Sequence, residues 1–320
     1  MNEVLKKIST YGIVPVIKID DVEKAVPLAK ALCAGGLPVA EVTFRTAQAA
    51  EAIARIVKEV PEMLVGAGTI LTCEQVDRAI AAGAKFIVSP GLNVKVVKYC
   101  IENKIPITPG TSSPSEMETA LDLGLEVVKF FPAEQAGGVA FLKAVSGPYT
   151  TLKFMPTGGI NAVNLNDYLA FPKVIACGGS WMVKSELIES GDFSAITQLT
   201  REAVNTMLGF ELAHVGINCE NELQAAEAAQ TMCTIFGFAN KSGNSSIFAD
   251  SAIECMKAPY LGRNGHIAIK TNSIERAVTH LTALGIRFDE STRKIDAKGV
   301  TKAIYLADEV AGFALHLMQK

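Results

Sequence analysis

The sequence has no excess of basic residues, no long apolar run and no closely paired cysteines, and each absence excludes a class of function. Lys and Arg number 30 against 33 Asp and Glu, a formal net charge of −3. Without surplus cations a polyphosphate backbone has little to hold it, so nucleic acid is not expected as a partner. The longest apolar runs, such as Val14 to Ile17, fall far short of the roughly 18 residues of a membrane helix. No membrane partner is expected, and the first residues lack the apolar core of a secretion signal, so the expected location is cytoplasmic. The 7 cysteines are odd in number, scattered and never spaced C-x-x-C, which argues against a disulfide framework or a zinc knuckle and for thiols in a reducing compartment. What is present is 320 residues, 49% hydrophobic and 20% charged. That is a globular composition, long enough for two domains at about 150 residues each.

From Val14 to about Trp181, β-rich runs alternate with amphipathic helical stretches. The strands are expected at Val14–Ile19, Val39–Phe44, Leu64–Ile70, Lys85–Pro90, Ile105–Pro109, Leu125–Phe131, Leu152–Pro156 and Val174–Cys177. Between them lie helices such as Thr46–Val60, where Ala49, Ala50, Ile53, Ile56, Val57 and Val60 share one face. Gly35, Gly83 and Gly124 are placed to close helices in the left-handed conformation. The pattern predicts an α/β fold, a (β/α)8 TIM barrel at the small end of its range, with an open doubly wound sheet as the rival.

A long helix is expected over Ser185–Met207, and a domain boundary follows it, giving a barrel of residues 1–208 and a second domain of residues 209–320. The second segment repeats at an offset of 52 residues, aligning His214 with His266, Ile217 with Ile269, Ala225 with Ala277 and Phe236 with Phe288. Each copy reads as strand, helix and then β-rich sequence, predicting a smaller α+β domain of paired βαβββ modules.

Lys129 stands among apolar residues near the end of its strand, and period-two alternation points it into the barrel with Val127 and Phe131. Burial disfavours the charged form, and a neutral amine is a nucleophile toward a ketone carbonyl. The alternative is a lysine that snorkels to the surface or pairs with a carboxylate. Lys85, Lys153 and Lys173 stand instead at strand beginnings, the end of a barrel that serves stability. Glu41 and Arg45 close the second strand. Glu41 is placed to move protons and Arg45 to grip a carboxylate through two parallel hydrogen bonds, unless the two merely pair with each other. Gly66-Ala67-Gly68-Thr69 leaves room for a ligand beside a hydroxyl. Thr157-Gly158-Gly159-Ile160 and Gly178-Gly179-Ser180-Trp181 follow the seventh and eighth strands, where barrels commonly bind phosphate through backbone N–H groups.

The segments Glu41–Thr46, Gly66–Thr69, Val88–Gly91, Lys129–Glu134, Pro156–Ile160 and Gly178–Trp181 resemble, in order and spacing, those of the bacterial class I 2-keto-3-deoxy-6-phosphogluconate (KDPG) and 4-hydroxy-2-oxoglutarate (KHG) aldolases. The resemblance spans roughly residues 5 to 206. It implies a lyase that cleaves a keto-acid sugar phosphate to pyruvate and glyceraldehyde 3-phosphate with no cofactor and no metal, and assembles as a homotrimer. By motif, Lys129 would form the Schiff base and Glu41 would be the acid/base. Arg45 and Thr69 would hold the pyruvyl carboxylate, Pro90 and Phe131 would shape the pocket, and Gly158, Gly159 and Ser180 would meet the phosphate. KHG is the rival substrate. A metabolite-sensing protein with its barrel regulated by the C-terminal module is the rival class.

Everything after Gly209 is additional to that family's usual chain. Its repeat resembles the glyoxalase and bleomycin-resistance group (vicinal oxygen chelate fold). That resemblance implies one metal ligand from each of four strands, and the matching positions are His214, Glu254, His266 and His316, with His316 standing where a carboxylate is more usual. No metal is assigned here: the plainer expectation is strand histidines with ordinary hydrogen bonds.

Overall fold

A computed structural model describes residues 1–320, which form two compact units, Met1–Met207 and Leu208–Lys320. The first unit opens with a helix, α1 (Glu3–Tyr11). Eight strands then alternate with helices: β1 (Ile13–Ile17), α2 (Ala25–Ala34), β2 (Val39–Thr43), α3 (Ala49–Glu59), β3 (Leu64–Gly68), α4 (Cys73–Ala81), β4 (Ile87–Ser89), α5 (Val94–Glu102), β5 (Ile107–Thr111), α6 (Pro114–Asp122), β6 (Val127–Phe130), α7 (Gly138–Val145), β7 (Lys153–Pro156), α8 (Leu165–Leu169) and β8 (Cys177–Gly179), before α9 (Ser185–Ser190) and α10 (Phe193–Leu208). The strands pair in parallel in the order β7-β6-β5-β4-β3-β2-β1-β8. Parallel bridges Phe154–Val174 and Thr157–Gly178 bring the two ends of the sheet together, so the sheet is a nearly closed barrel of the TIM type.

One end of this barrel is sealed by apolar side chains. Leu5, Ile8 and Tyr11 lie on one face of α1 and pack with Val14, Val39, Leu64, Val127 and Met155. Most of these strand residues come early in their strands, so the open end is the C-terminal one, where polar side chains are placed.

Local details depart from the sequence pattern for physical reasons. Helix α1 is absent from the expected elements because the strand alternation begins only after it. The eighth strand lies at Cys177–Gly179, with Val174 contributing only a bridge to Phe154. The stretch Ser185–Met207 is two helices, because Gly191 (φ 74) takes the left-handed conformation and caps α9. Gly83 and Gly124 are left-handed as expected, but after α2 the left-handed residue is Gly36 (φ 94), not Gly35. Gly35 is small for another reason: a Cβ there would lie 2.5 Å from Cβ of Thr200 on α10.

The second unit runs β9 (Glu211–Asn218), α11 (Glu222–Phe236), β10 (Asn240–Ser242), β11 (Ser246–Ala249) and β12 (Ile253–Met256), then β13 (Gly265–Thr271), α12 (Ile274–Ala283), β14 (Phe288–Ile295), β15 (Thr301–Leu306) and β16 (Phe313–Gln319). Its mixed sheet has the order β10-β11-β12-β9-β13-β16-β15-β14. The helices begin 52 residues apart at the caps Asn221 and Ser273, and Ala225 and Ala277 are both fully buried. The correspondence ends with the helices: Phe236 closes α11, whereas Phe288 opens β14. No helix of the chain is long and apolar enough to cross a membrane.

Candidate active site

The barrel's strands deliver their last residues to one end, and the charged ones meet there. Glu41 on β2 and Lys129 on β6 are 1% and 5% exposed, and Lys129 Nζ donates to Glu41 Oε1 at 3.3 Å. The lysine does not snorkel outward; it pairs with the carboxylate across the interior. Two buried charges are costly separately and far less so together. The pair leaves Glu41 Oε2 buried with no partner, a lone acceptor facing the same space. Gly68 makes the arrangement possible, since a Cβ there would lie 2.1 Å from Glu41 Oε1. Lys129 Nζ also stands 5.2 Å from the centre of the half-buried Phe131 ring.

Around this pair lie the other residues singled out from the sequence. Arg45 is exposed just beyond β2, where its Nε donates to Thr43 Oγ1 at 3.2 Å, and Thr43 in turn donates to the Ile17 carbonyl at 2.8 Å. Arg45 therefore does not pair with Glu41. Thr69 follows β3 with φ 58, a left-handed conformation that is costly for a β-branched residue. Such strain of order 1–3 kcal/mol tends to persist where function requires it. Pro90 follows β4, and a Cβ on Gly110 would lie 2.0 Å from its carbonyl oxygen, so β5 passes close beneath it.

The two glycine pairs are brought together, because Thr157 at the end of β7 bridges to Gly178 in β8. Gly158 (φ 100) and Gly159 (φ 80) are both left-handed, and Gly159 lies against Glu134, whose Cγ would be 2.5 Å from a Cβ there. Glu134 accepts a hydrogen bond from the Tyr168 hydroxyl. Burial and this carboxylate push the Tyr168 phenol upward. Ser180 is exposed after β8.

Sequence reasoning missed several polar groups here. Thr108 and Thr157 are buried with Oγ1 unpartnered, Thr43 links Arg45 to the β1 backbone, and Glu134 buttresses Gly159 through contacts made only in the folded chain. Thr157 stood inside the Thr157–Ile160 motif, but nothing in a sequence distinguishes a buried hydroxyl from an exposed one.

In the second unit the four positions His214, Glu254, His266 and His316 also converge. His266 Nε2 lies 3.0 Å from Glu254 Oε2 and 3.0 Å from His214 Nε2, and His214 Nε2 lies 3.1 Å from the same carboxylate oxygen. One donor atom from each histidine falls within 4.8 Å of those of the other two. Burial alone would raise the Glu254 carboxyl, but hydrogen bonds from His214, His266 and Ser246 hold it well below the usual carboxylate range. Burial, with His266 and His214 nearby, lowers His316 to about 3. His214 is in hydrogen-bond contact with His266 and Glu254, whereas both ring nitrogens of His316 are buried without partners.

The family model "Aldolase: KDPG and KHG aldolase" matches residues 3–199, ending before the second unit begins. The 2-dehydro-3-deoxy-phosphogluconate aldolase of Treponema pallidum is 50% identical over 204 residues, 64% of this chain and 97% of its own. The KHG/KDPG aldolase of Escherichia coli K12 is 50% identical over 197 residues, 62% of this chain and 92% of its own. Among solved structures, the KDPG aldolase of Legionella pneumophila, with pyruvate captured at low pH as a covalent carbinolamine intermediate, superposes with a TM-score of 0.61 at 42% identity. The match covers 63% of this chain and 98% of that one.

Proposed function

Since the chain belongs to the KDPG and KHG aldolase family through residues 3–199, we propose that its barrel is a Schiff-base lyase cleaving 2-keto-3-deoxy-6-phosphogluconate to pyruvate and glyceraldehyde 3-phosphate. The observation that carries this is the buried contact of Lys129 with Glu41 at the open end of the barrel. Lys129 Nζ attacks the C2 ketone to give a carbinolamine, and loss of water leaves an iminium. The iminium draws in the electron pair of the breaking C3–C4 bond, the C4 hydroxyl proton departs as the aldehyde forms, and the resulting enamine is protonated and hydrolysed to pyruvate. Glu41, within reach of the amine and with one oxygen free, carries protons in each step.

Arg45 and Thr69 hold the carboxylate, Pro90 and Phe131 shape the pocket, and Gly158, Gly159 and Ser180 receive the phosphate. Support for this division comes from the distance along the barrel rim: Arg45 and Thr69 follow β2 and β3, while the glycine pairs follow β7 and β8. 4-Hydroxy-2-oxoglutarate fits the same carboxylate end without using the phosphate end. A homotrimer is the expected assembly. Steady-state cleavage with the released pyruvate reduced by a coupled dehydrogenase tests the reading, and Lys129→Arg should abolish turnover because an always-protonated guanidinium cannot form an imine. Wild-type-like turnover in that variant would refute it.

The second unit reads as two βαβββ modules of the glyoxalase and bleomycin-resistance type, residues 209–320. The order of its elements, the 52-residue offset and the central pairing of β9 with β13 support that reading.

A further inference from the structure

The loop after β7 is held by its carbonyl oxygens. The Ala133 N–H donates to the Thr157 carbonyl at 2.8 Å and the Glu134 N–H to the Gly158 carbonyl at 3.1 Å. The Gly159 carbonyl accepts two side-chain amides, Asn161 Nδ2 at 3.2 Å and Asn164 Nδ2 at 3.1 Å. In a planar trans peptide the N–H points opposite to the C=O that shares its plane. Tying down these three carbonyls therefore turns the N–H groups of Gly158, Gly159 and Ile160 away from their partners. Successive backbone N–H groups in a turn make an anion-binding concavity, but only while none of the peptides rotates to present its oxygen instead.

Glu134 brings a negative charge to this same loop. Its side chain runs along Gly159, where a Cβ would lie 2.5 Å from Glu134 Cγ, and a carboxylate free to swing over the loop would repel a phosphate. The Tyr168 hydroxyl prevents this by donating to Glu134 Oε1. Tyr168 is 1% exposed on α8, and burial together with the carboxylate pushes its phenol upward, so the hydroxyl keeps the proton it donates. The phenol reaches the carboxylate over bare backbone: a Cβ on Gly138 would stand 3.2 Å from the Tyr168 hydroxyl and 3.4 Å from Glu134 Oε1. One strut thus fixes both the charge and the loop it presses on.

We propose that, given the aldolase reading with its phosphate end at Gly158 and Gly159, Glu134, Tyr168 and Asn164 are positioning residues that lock this loop with its N–H groups toward the ligand and its own acid turned away, and so set the preference for a phosphorylated over an unphosphorylated 2-keto acid. All three act on the loop after β7, whereas Lys129, Glu41, Arg45 and Thr69 stand on or after β6, β2 and β3. Their loss should therefore raise KM for the phosphorylated substrate and spare kcat, the signature of lost uniform binding. Glu134 works by its length and its acceptor oxygen, which glutamine shares.

The test measures kcat and KM of the full chain with 2-keto-3-deoxy-6-phosphogluconate and with 4-hydroxy-2-oxoglutarate, and inhibition by inorganic phosphate. Tyr168→Phe, Glu134→Ala and Asn164→Ala should each raise KM for the phosphorylated substrate by about tenfold, the worth of one hydrogen bond to a charged group. Each should weaken phosphate inhibition in step, with kcat and both constants for 4-hydroxy-2-oxoglutarate within about twofold. Glu134→Gln should restore phosphate handling to within about twofold of wild type. Tyr168→Phe combined with Glu134→Ala should be no worse than Glu134→Ala alone, because the two act as one strut. Tyr168→Phe, which removes only an oxygen, is the variant that keeps the fold, and thermal unfolding reports it. Wild-type phosphate handling in Tyr168→Phe and Glu134→Ala, or equal losses on both substrates, would overturn the positioning role. A wild-type chain that cleaves neither substrate would overturn the aldolase reading instead.

Discussion

Glu41 and Lys129 are 88 residues apart in the chain, on strands four places apart around an eight-stranded barrel, and they meet at 3.3 Å in its interior. Opposite strands of such a barrel touch only through long side chains reaching inward. This contact is therefore a property of the closed fold rather than of either segment.

Gly68 should be as necessary as the pair itself. Its added Cβ would lie 2.1 Å from Glu41 Oε1 and drive the carboxylate from the amine. Gly68→Ala should lower kcat by about 100-fold, the scale of an ångström-sized misplacement, with little change in Tm. Gly66→Ala instead meets the Phe86 ring at 2.3 Å and should cost about 1–3 kcal/mol of stability by overpacking. Thermal unfolding alongside steady-state kinetics separates the two, and the same loss of kcat in both variants would contradict the distinction.

Arg45 and Ser180 are assigned to opposite ends of the substrate. Arg45→Ala should weaken pyruvate itself, measured by its inhibition of cleavage. Ser180→Ala should spare pyruvate and raise KM for the phosphorylated substrate by about tenfold, the worth of one charged hydrogen bond, more than for 4-hydroxy-2-oxoglutarate. Equal effects of both changes on both substrates would mean the ends are misassigned.

Thr69 holds a left-handed backbone at the ligand end of β3. Thr69→Gly should relieve that strain and stabilise the unit by up to about 1 kcal/mol, while kcat/KM falls by about tenfold with the lost hydroxyl. Chemical denaturation and kinetics on the same variant check both signs. A variant that loses stability would show that Thr69 is held by packing instead.

The extent to which these features were legible in the sequence follows from how local each one is. The strand runs, the inward phase of Lys129 and the glycine pairs after β7 and β8 depend on short-range alternation and composition, and the barrel follows from counting them. Helix α1 escaped because it precedes the alternation, and the break at Gly191 because a glycine inside a periodic stretch does not announce its φ. Gly35 does cap α2, but in the right-handed conformation, and its smallness answers to Thr200 on α10, a contact 165 residues away in sequence. Thr108 and Thr157 carry no sequence mark, since an orphaned hydroxyl is defined by what surrounds it. In the second unit the repeat was visible at His214 and His266, but their meeting with Glu254 and His316 depends on strand register, which the 52-residue offset alone does not fix.

The relatives' own chains are matched over 97% and 92% of their length by about two thirds of this one, and every residue assigned to the reaction lies between Glu41 and Ser180. A chain ending at Met207 should therefore fold and keep kcat/KM within about tenfold, or roughly 1.4 kcal/mol of transition-state stabilisation. A folded truncation with less than about a hundredth of the activity, some 2.7 kcal/mol, would mean that the second unit completes the barrel's site.

The central claim is that Lys129 is the amine that captures the ketone. Incubation of the full chain with pyruvate and borohydride, followed by digestion and peptide mass analysis, tests it directly. The account predicts a single reduced pyruvyl adduct on the peptide containing Lys129, and its loss in Lys129→Arg. An adduct on Lys18 or Lys153, or a chain that cleaves substrate yet is never trapped, would contradict it.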